Sequence, residues 1–112
     1  MANVVWIKHV ANWGLDEEVV RRMADGVLKG KNLNEVELSV VFVGRKVAKD
    51  LNIKYRKMDY IPQVLAFPMD KKVLGDVVIC TPKLKYEASY LMKSVEVVLR
   101  DWLEHGISNL LK

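Results

Sequence analysis

The chain has 112 residues with a single cysteine, three prolines and two histidines. Cys80 has no partner for an internal disulfide, and it lies in an apolar run where it packs as a small hydrophobe. No apolar run approaches the roughly 18 residues that a membrane span needs, and Met1 to Val10 lack the basic-then-apolar order of a signal peptide. The reading is therefore cytoplasmic. No glycine-rich phosphate loop, Cys-x-x-Cys pair or serine elbow occurs, which excludes the commonest nucleotide, redox and acyl-transfer sites.

What is present is one domain's worth of ordinary globular sequence, 51% hydrophobic and 29% charged. The net charge of +4 is concentrated: Arg45, Lys46, Lys49, Lys54, Arg56 and Lys57 against Asp50 give +5 within residues 44–57, and the remainder sums to −1. A basic patch of this kind points to a polyanionic partner, and RNA is the one expected. Alanine at Lys49, Lys54 and Lys57 is expected to flatten the salt dependence of RNA binding.

Hydrophobic periodicity sets the elements. Val4 to Val10 reads as a strand broken by Asn12-Trp13-Gly14. Acidic residues Asp16, Glu17 and Glu18 open a helix from about Leu15 to Lys29, with Val20, Met23, Ala24, Val27 and Leu28 as its core stripe and Gly30 as its stop. Val36 to Val43 alternates, then turns wholly apolar, as a strand covered on both faces at one end would. Arg45 to about Met58 is a second helix, which Ile61-Pro62 cannot continue. Val64–Met69 and Leu74–Thr81 are two strands of a hairpin turning over Asp70-Lys71-Lys72, with Pro68 placing the first at an edge or bulge.

Tyr86 to Lys112 reads as one long amphipathic helix with Ala88, Leu91, Met92, Val95, Val98, Leu99, Trp102, Leu103 and Leu110 on its apolar stripe. The order β-α-β-α-β-β-α implies an α/β (α+β-like) single domain with a mixed four-stranded sheet and helices packed on it.

Along one flank of the last stripe run Ser94, Asp101, His105 and Asn109. Glu104-His105-Gly106 has two readings. It can be a helix ending, with glycine just past the last turn, or it can be a metal helix, with donors at i and i+4 on one face. His9 reads as a surface residue. Trp6, Trp13 and Trp102 are aromatics able to stack on bases, although Trp102 falls on the apolar stripe and belongs to the core.

Three stretches carry a resemblance to a known family. They are Leu51-Asn52, Tyr55-Arg56, Asp59 and Val64-Leu65-Ala66-Phe67-Pro68; then Leu74-Gly75-Asp76-Val77-Val78-Ile79; then His105-Gly106-Ile107. In this order and spacing they resemble the YbeY family of ribosomal-RNA maturation endoribonucleases, which are zinc-dependent. The resemblance implies a compact α/β fold, a metal donor at His105 and a catalytic arginine at Arg56. Asn52, Asp76 and Asn109 are supporting positions: Asn52 holds the arginine or a loop carbonyl or else is an exposed helix asparagine, Asp76 pairs with Arg56 or faces water at the sheet edge, and Arg56 itself reads also as one more solvated charge on a basic helix.

The chain departs from the family pattern at four places. The second histidine of the zinc motif falls on Asn109, and the sequence given stops at Lys112 before the third. Pro62-Gln63 stands for the family's Thr-Asp or Thr-Asn, and Ala66 for its serine. Zinc is accordingly expected to be weakly held or absent. The two functions left open are an RNA-cutting enzyme of ribosome assembly and a homologue that binds RNA or ribosomal proteins without cutting. Ile107, Leu110 and Leu111 are expected to be poorly covered, which would favour a homodimer or partner.

Overall fold

A computed structural model describes residues 2–9 and 14–112. The expected turn at Asn12-Trp13 and any stacking by Trp13 lie outside the described residues. The elements are β1 (Val4–His9), α1 (Glu17–Gly30), β2 (Glu37–Val43), α2 (Arg45–Arg56), β3 (Val64–Pro68), β4 (Val73–Cys80), α3 (Thr81–Leu91) and α4 (Val95–Leu110). One sheet runs in the order β1-β2-β4-β3, with β1, β2 and β4 parallel and β3 antiparallel to β4.

Side-chain alternation divides the core between the two faces of this sheet. Leu38, Val40 and Phe42 of β2 and Val77 and Ile79 of β4 meet α1, α3 and α4 on one side. On the other side Val43, Val78 and Cys80, with Leu65 of β3, pack against Ala48 of α2. Because β4 is an inner strand covered on both faces, Val77 to Cys80 are all buried, and their unbroken apolar run is what such a strand requires. Cys80 is a buried free thiol, as its surroundings imply.

The hairpin forms as expected. Asp70 Oδ1 accepts from the backbone N–H groups of Lys72 at 2.8 Å and Val73 at 2.7 Å, and those hydrogen bonds hold its carboxyl below the usual carboxylate range. Pro68 lies on β3, which is an edge strand.

The single helix expected over residues 86–112 is instead two. Met92 adopts a left-handed conformation (φ 56°) and its N–H bonds back to Ala88 O and Ser89 O, closing α3. Ser94 then caps α4 by accepting from Val97 N at 3.2 Å. Met92, placed on the apolar stripe by its spacing, is 93% exposed. Pro82 sits in the first turn of α3, where its missing N–H leaves no intrahelical bond unmade.

Gly106 is not a helix ending either. It lies inside α4, buried, and a Cβ there would come within 2.6 Å of Val77 Cγ1 and 3.2 Å of Val64 Cγ1. Its lack of a side chain lets α4 approach β3 and β4 closely. Ile107 and Leu110 are buried in the chain's own core, contrary to expectation, and only Leu111 of that trio is exposed.

Candidate functional site

α2 carries Arg56 on its last residue, and the next residue, Lys57, turns left-handed (φ 59°) to end the helix. Asn52, one turn earlier, is fully buried and donates from Nδ2 to Tyr60 O at 3.1 Å. It therefore holds a loop carbonyl, one of its two expected roles, and ties residues 57–63 down to α2. Its Oδ1 is buried without a hydrogen-bond donor among the described residues. Tyr60 in turn receives a long contact of 3.5 Å at its hydroxyl from Arg56 Nη1.

On the opposite wall, the close approach at Gly106 brings the preceding His105 to the rim of β3. Arg56 and His105 line a common cavity of about 600 Å³ with Lys83 of α3, Trp102 and the 60–64 segment. A smaller cavity of about 270 Å³ joins Arg56, His105 and Asn109 over Ala66. Tertiary structure thus brings Arg56 of α2 to His105 and Asn109, which share α4 and lie 49 and 53 residues further along the chain. The positions that depart from the family pattern, Pro62, Gln63, Ala66 and Asn109, line these same two cavities.

Asp76 does not join them. It is half-buried on the inner strand β4, between Ser39 of β2 and Phe67 of β3 rather than at a sheet edge, and it forms no ion pair with Arg56. The basic helix also divides. Lys46 pairs with Asp50 at 3.0 Å and Lys49 with Asp59 at 3.5 Å, while Lys54 lies over the Tyr55 ring at 5.2 Å. Lys57 serves as the cap of α2. Arg45 and Arg56, about 20° apart at 100° per residue, each line a cavity. Trp6 is exposed and bonds Glu37 at 3.2 Å, His9 bonds Glu17 at 2.9 Å on the surface, and Trp102 is core as expected.

Lys83 and Gln63 are the site residues that sequence reasoning did not single out for a role. A signal for Lys83 existed: a lysine in the first turn of a helix opposes the positive end of the helix dipole, and α3 has no acidic residue there to offset it. Gln63 is held by its Nε2 donating to Glu87 Oε2 at 2.9 Å.

Chemically, the cleft offers a guanidinium able to grip a phosphodiester through two oxygens, an ammonium, and an imidazole able to give or accept a hydrogen bond. It does not fit zinc. His105 is its one imidazole, Asn109 adds an amide, and no group of three or more His, Cys, Asp or Glu side chains suited to an ion occurs among the described residues.

A family model described as endoribonuclease YbeY matches residues 8–111. The chain belongs to the YbeY family. It is 36% identical over 101 residues to an endoribonuclease YbeY of Cellvibrio japonicus, covering 85% of this chain and 57% of that protein. To that of Aquifex aeolicus it is 36% identical over 100 residues, covering 85% and 67%. The match to the Persephonella marina protein is 28% over 118 residues and covers 99% and 77%. A solution structure of a Thermotoga maritima protein superposes with a TM-score of 0.69 at 22% identity, over 97% of this chain and 73% of that one, and shows the shared YbeY-like fold. No helix among the described residues is long and apolar enough to cross a membrane.

Proposed function

We propose that this chain engages single-stranded ribosomal RNA in the cleft of Arg56, Lys83 and His105, and that it acts in the endonucleolytic maturation of that RNA in the cytoplasm. The observation that carries the reading is the convergence of two cations and an imidazole from three helices on one cavity, with neither cation ion-paired to a carboxylate among the described residues. A scissile phosphodiester gains negative charge as it is attacked, and a preset guanidinium stabilises that charge more than it stabilises the ground state. Arg56 takes this role. Lys83 neutralises a neighbouring phosphate.

A second reading, RNA or ribosome binding without cutting, is favoured by the donor set around His105. A borderline-soft ion such as zinc is held by three or more imidazole, thiolate or carboxylate donors, and one imidazole with an amide falls short. Two copies sharing their His105 side chains would supply one more imidazole.

The experiment measures zinc content by elemental analysis beside cleavage of a single-stranded ribosomal RNA fragment. The enzyme reading expects cleavage that Arg56→Ala abolishes while RNA is still bound. Binding without cleavage, together with zinc well below one per chain, assigns the second reading, and one zinc per two chains identifies a shared site. Asn109→His, which sets two imidazoles at i and i+4, is expected to raise zinc retention in either case. Failure to bind RNA at all would overturn the enzyme reading and the RNA-binding form of the second.

A further inference from the structure

We propose that Tyr86 and Tyr90 on α3 form a stacking platform for the bases of a single RNA strand, reached from the Arg56 cleft through a gap between Arg45 and Lys83. The proposal rests on the cleft being an RNA site and extends it by naming how the strand continues beyond the scissile phosphate.

The two rings are one helical turn apart, 69% and 73% exposed, and nearly parallel, with centroids 6.4 Å apart and planes inclined by 12°. Single exposed tyrosines are ordinary on a protein surface. This pair is distinguished by what adjoins it. A cavity of about 310 Å³ has Tyr86 on its wall together with Arg45, Lys83, Gln63 and Glu87. Gln63 and Lys83 also line the Arg56 cavity, so the two hollows adjoin.

The charge in the gap fits a chain of phosphates. Arg45 opens α2 and Lys83 lies in the first turn of α3; neither turn contains an acidic residue and neither helix has a side-chain cap. Two cations thus sit on the positive ends of two helix dipoles, an arrangement that an anion placed between them relieves. The one carboxylate there, Glu87, is engaged by Gln63. A ligand that alternates anionic groups with flat π faces meets both halves of the surface. Single-stranded nucleic acid is such a ligand, whereas a neutral glycan lacks the charge and an acidic peptide lacks the faces.

The test uses the whole chain and an end-labelled single-stranded RNA of about 12 nucleotides, within the range that single-strand binders cover. Tyr86→Ala combined with Tyr90→Ala is expected to weaken binding about tenfold or more, the loss of one to two base stacks. Tyr86→Phe with Tyr90→Phe should bind as the native chain does. Because no charge is removed, the dependence of log affinity on log salt should stay unchanged in both variants. An RNA made abasic at successive positions should bind the native chain more weakly at some position and lose nothing further in the alanine variant.

The platform is overturned if the alanine variant binds as tightly as the native chain while Arg56→Ala still weakens binding, an outcome that leaves the cleft reading intact. It is also overturned if the phenylalanine variant loses as much as the alanine one, or if polyglutamate displaces the RNA from the native chain but not from the alanine variant, which assigns the patch to an acidic protein. A native chain that binds no RNA overturns cleft and platform together.

Discussion

The helix starts on the two sides of this molecule are built to opposite rules. α1 begins with Asp16, whose carboxylate accepts from Glu18 N at 2.8 Å, and follows it with Glu17 and Glu18, so that cap and dipole are both satisfied. Its cations Arg21, Arg22 and Lys29 are each ion-paired with a carboxylate on the same helix. α2 and α3 begin without a side-chain cap, carry Arg45, Lys46 and Lys83 where acids belong, and leave Arg45, Arg56 and Lys83 outside any ion pair among the described residues. Charges on the α1 side are placed for the folded chain. Those around the cleft are placed against it, which is expected where binding rather than stability decides the residue.

The strongest test of that contrast is electrostatic. Replacing Arg45, Arg56 and Lys83 together by alanine should flatten the slope of log RNA affinity against log salt by about 0.7 per cation removed. The same number of changes at Arg21, Arg22 and Lys29 should leave it unchanged. An equal effect from both triples would mean that RNA responds to net charge alone and would break the comparison. Lys49, Lys54 and Lys57, whose replacement is expected from sequence to flatten the salt dependence, should matter less than the cleft trio, since two of them are engaged with Asp59 and Tyr55.

Smaller but sharper is a pair of glycine substitutions measured by chemical unfolding. Gly106→Ala forces a Cβ against the buried Val77 and is expected to destabilise by about 1–3 kcal/mol. Gly26, inside α1, has nothing within 4 Å of its missing Cβ, and Gly26→Ala should stabilise by about 0.5–1 kcal/mol. Loss of stability in both would show that Gly26 is packed as closely as Gly106.

Arg45→Glu divides stability from function directly. The acid complements the dipole of α2 and should raise stability by about 0.3–1 kcal/mol at low salt while weakening RNA binding. A variant that is both less stable and fully able to bind would show that Arg45 serves the fold.

The smallest effect concerns Asp70, which accepts backbone N–H groups in the hairpin as Asp16 does at α1. Its carboxyl titrates below the usual carboxylate range because Val73 and Lys72 donate to the ionised form. Its contribution to stability is therefore present above the pKa of the unfolded chain and disappears as pH falls through the lower folded value. Amide shifts of Lys72 and Val73 should follow that titration, and Asp70→Asn should abolish it.

Sequence reading succeeded where a signal is local. The alternation of Val36 to Val43, the Asp70 turn and the acidic opening of α1 each depend on near neighbours, and each element formed where expected to within two residues. It failed where one local pattern serves two structures. The apolar spacing ran through Met92 because periodicity reports which side chains could share a face, and says nothing of where the backbone turns. Ser94, read as a flank residue, was the cap that marked the break. Glycine after His105 fits a helix stop and a close helix–sheet contact equally well until the sheet is in place.

The sequence by itself determined the class of fold, the family and the presence of a concentrated positive charge, because these follow from short-range pattern and matched words. Only the tertiary structure decided which charges are free to bind. Lys49 is a basic residue like Arg56, yet Asp59, beyond the end of α2, engages it, while Arg56 stands across a cleft from His105 and beside Lys83. Coulomb attraction depends on distance and exposure, and those distances are set by how α2, α3 and α4 pack on the sheet.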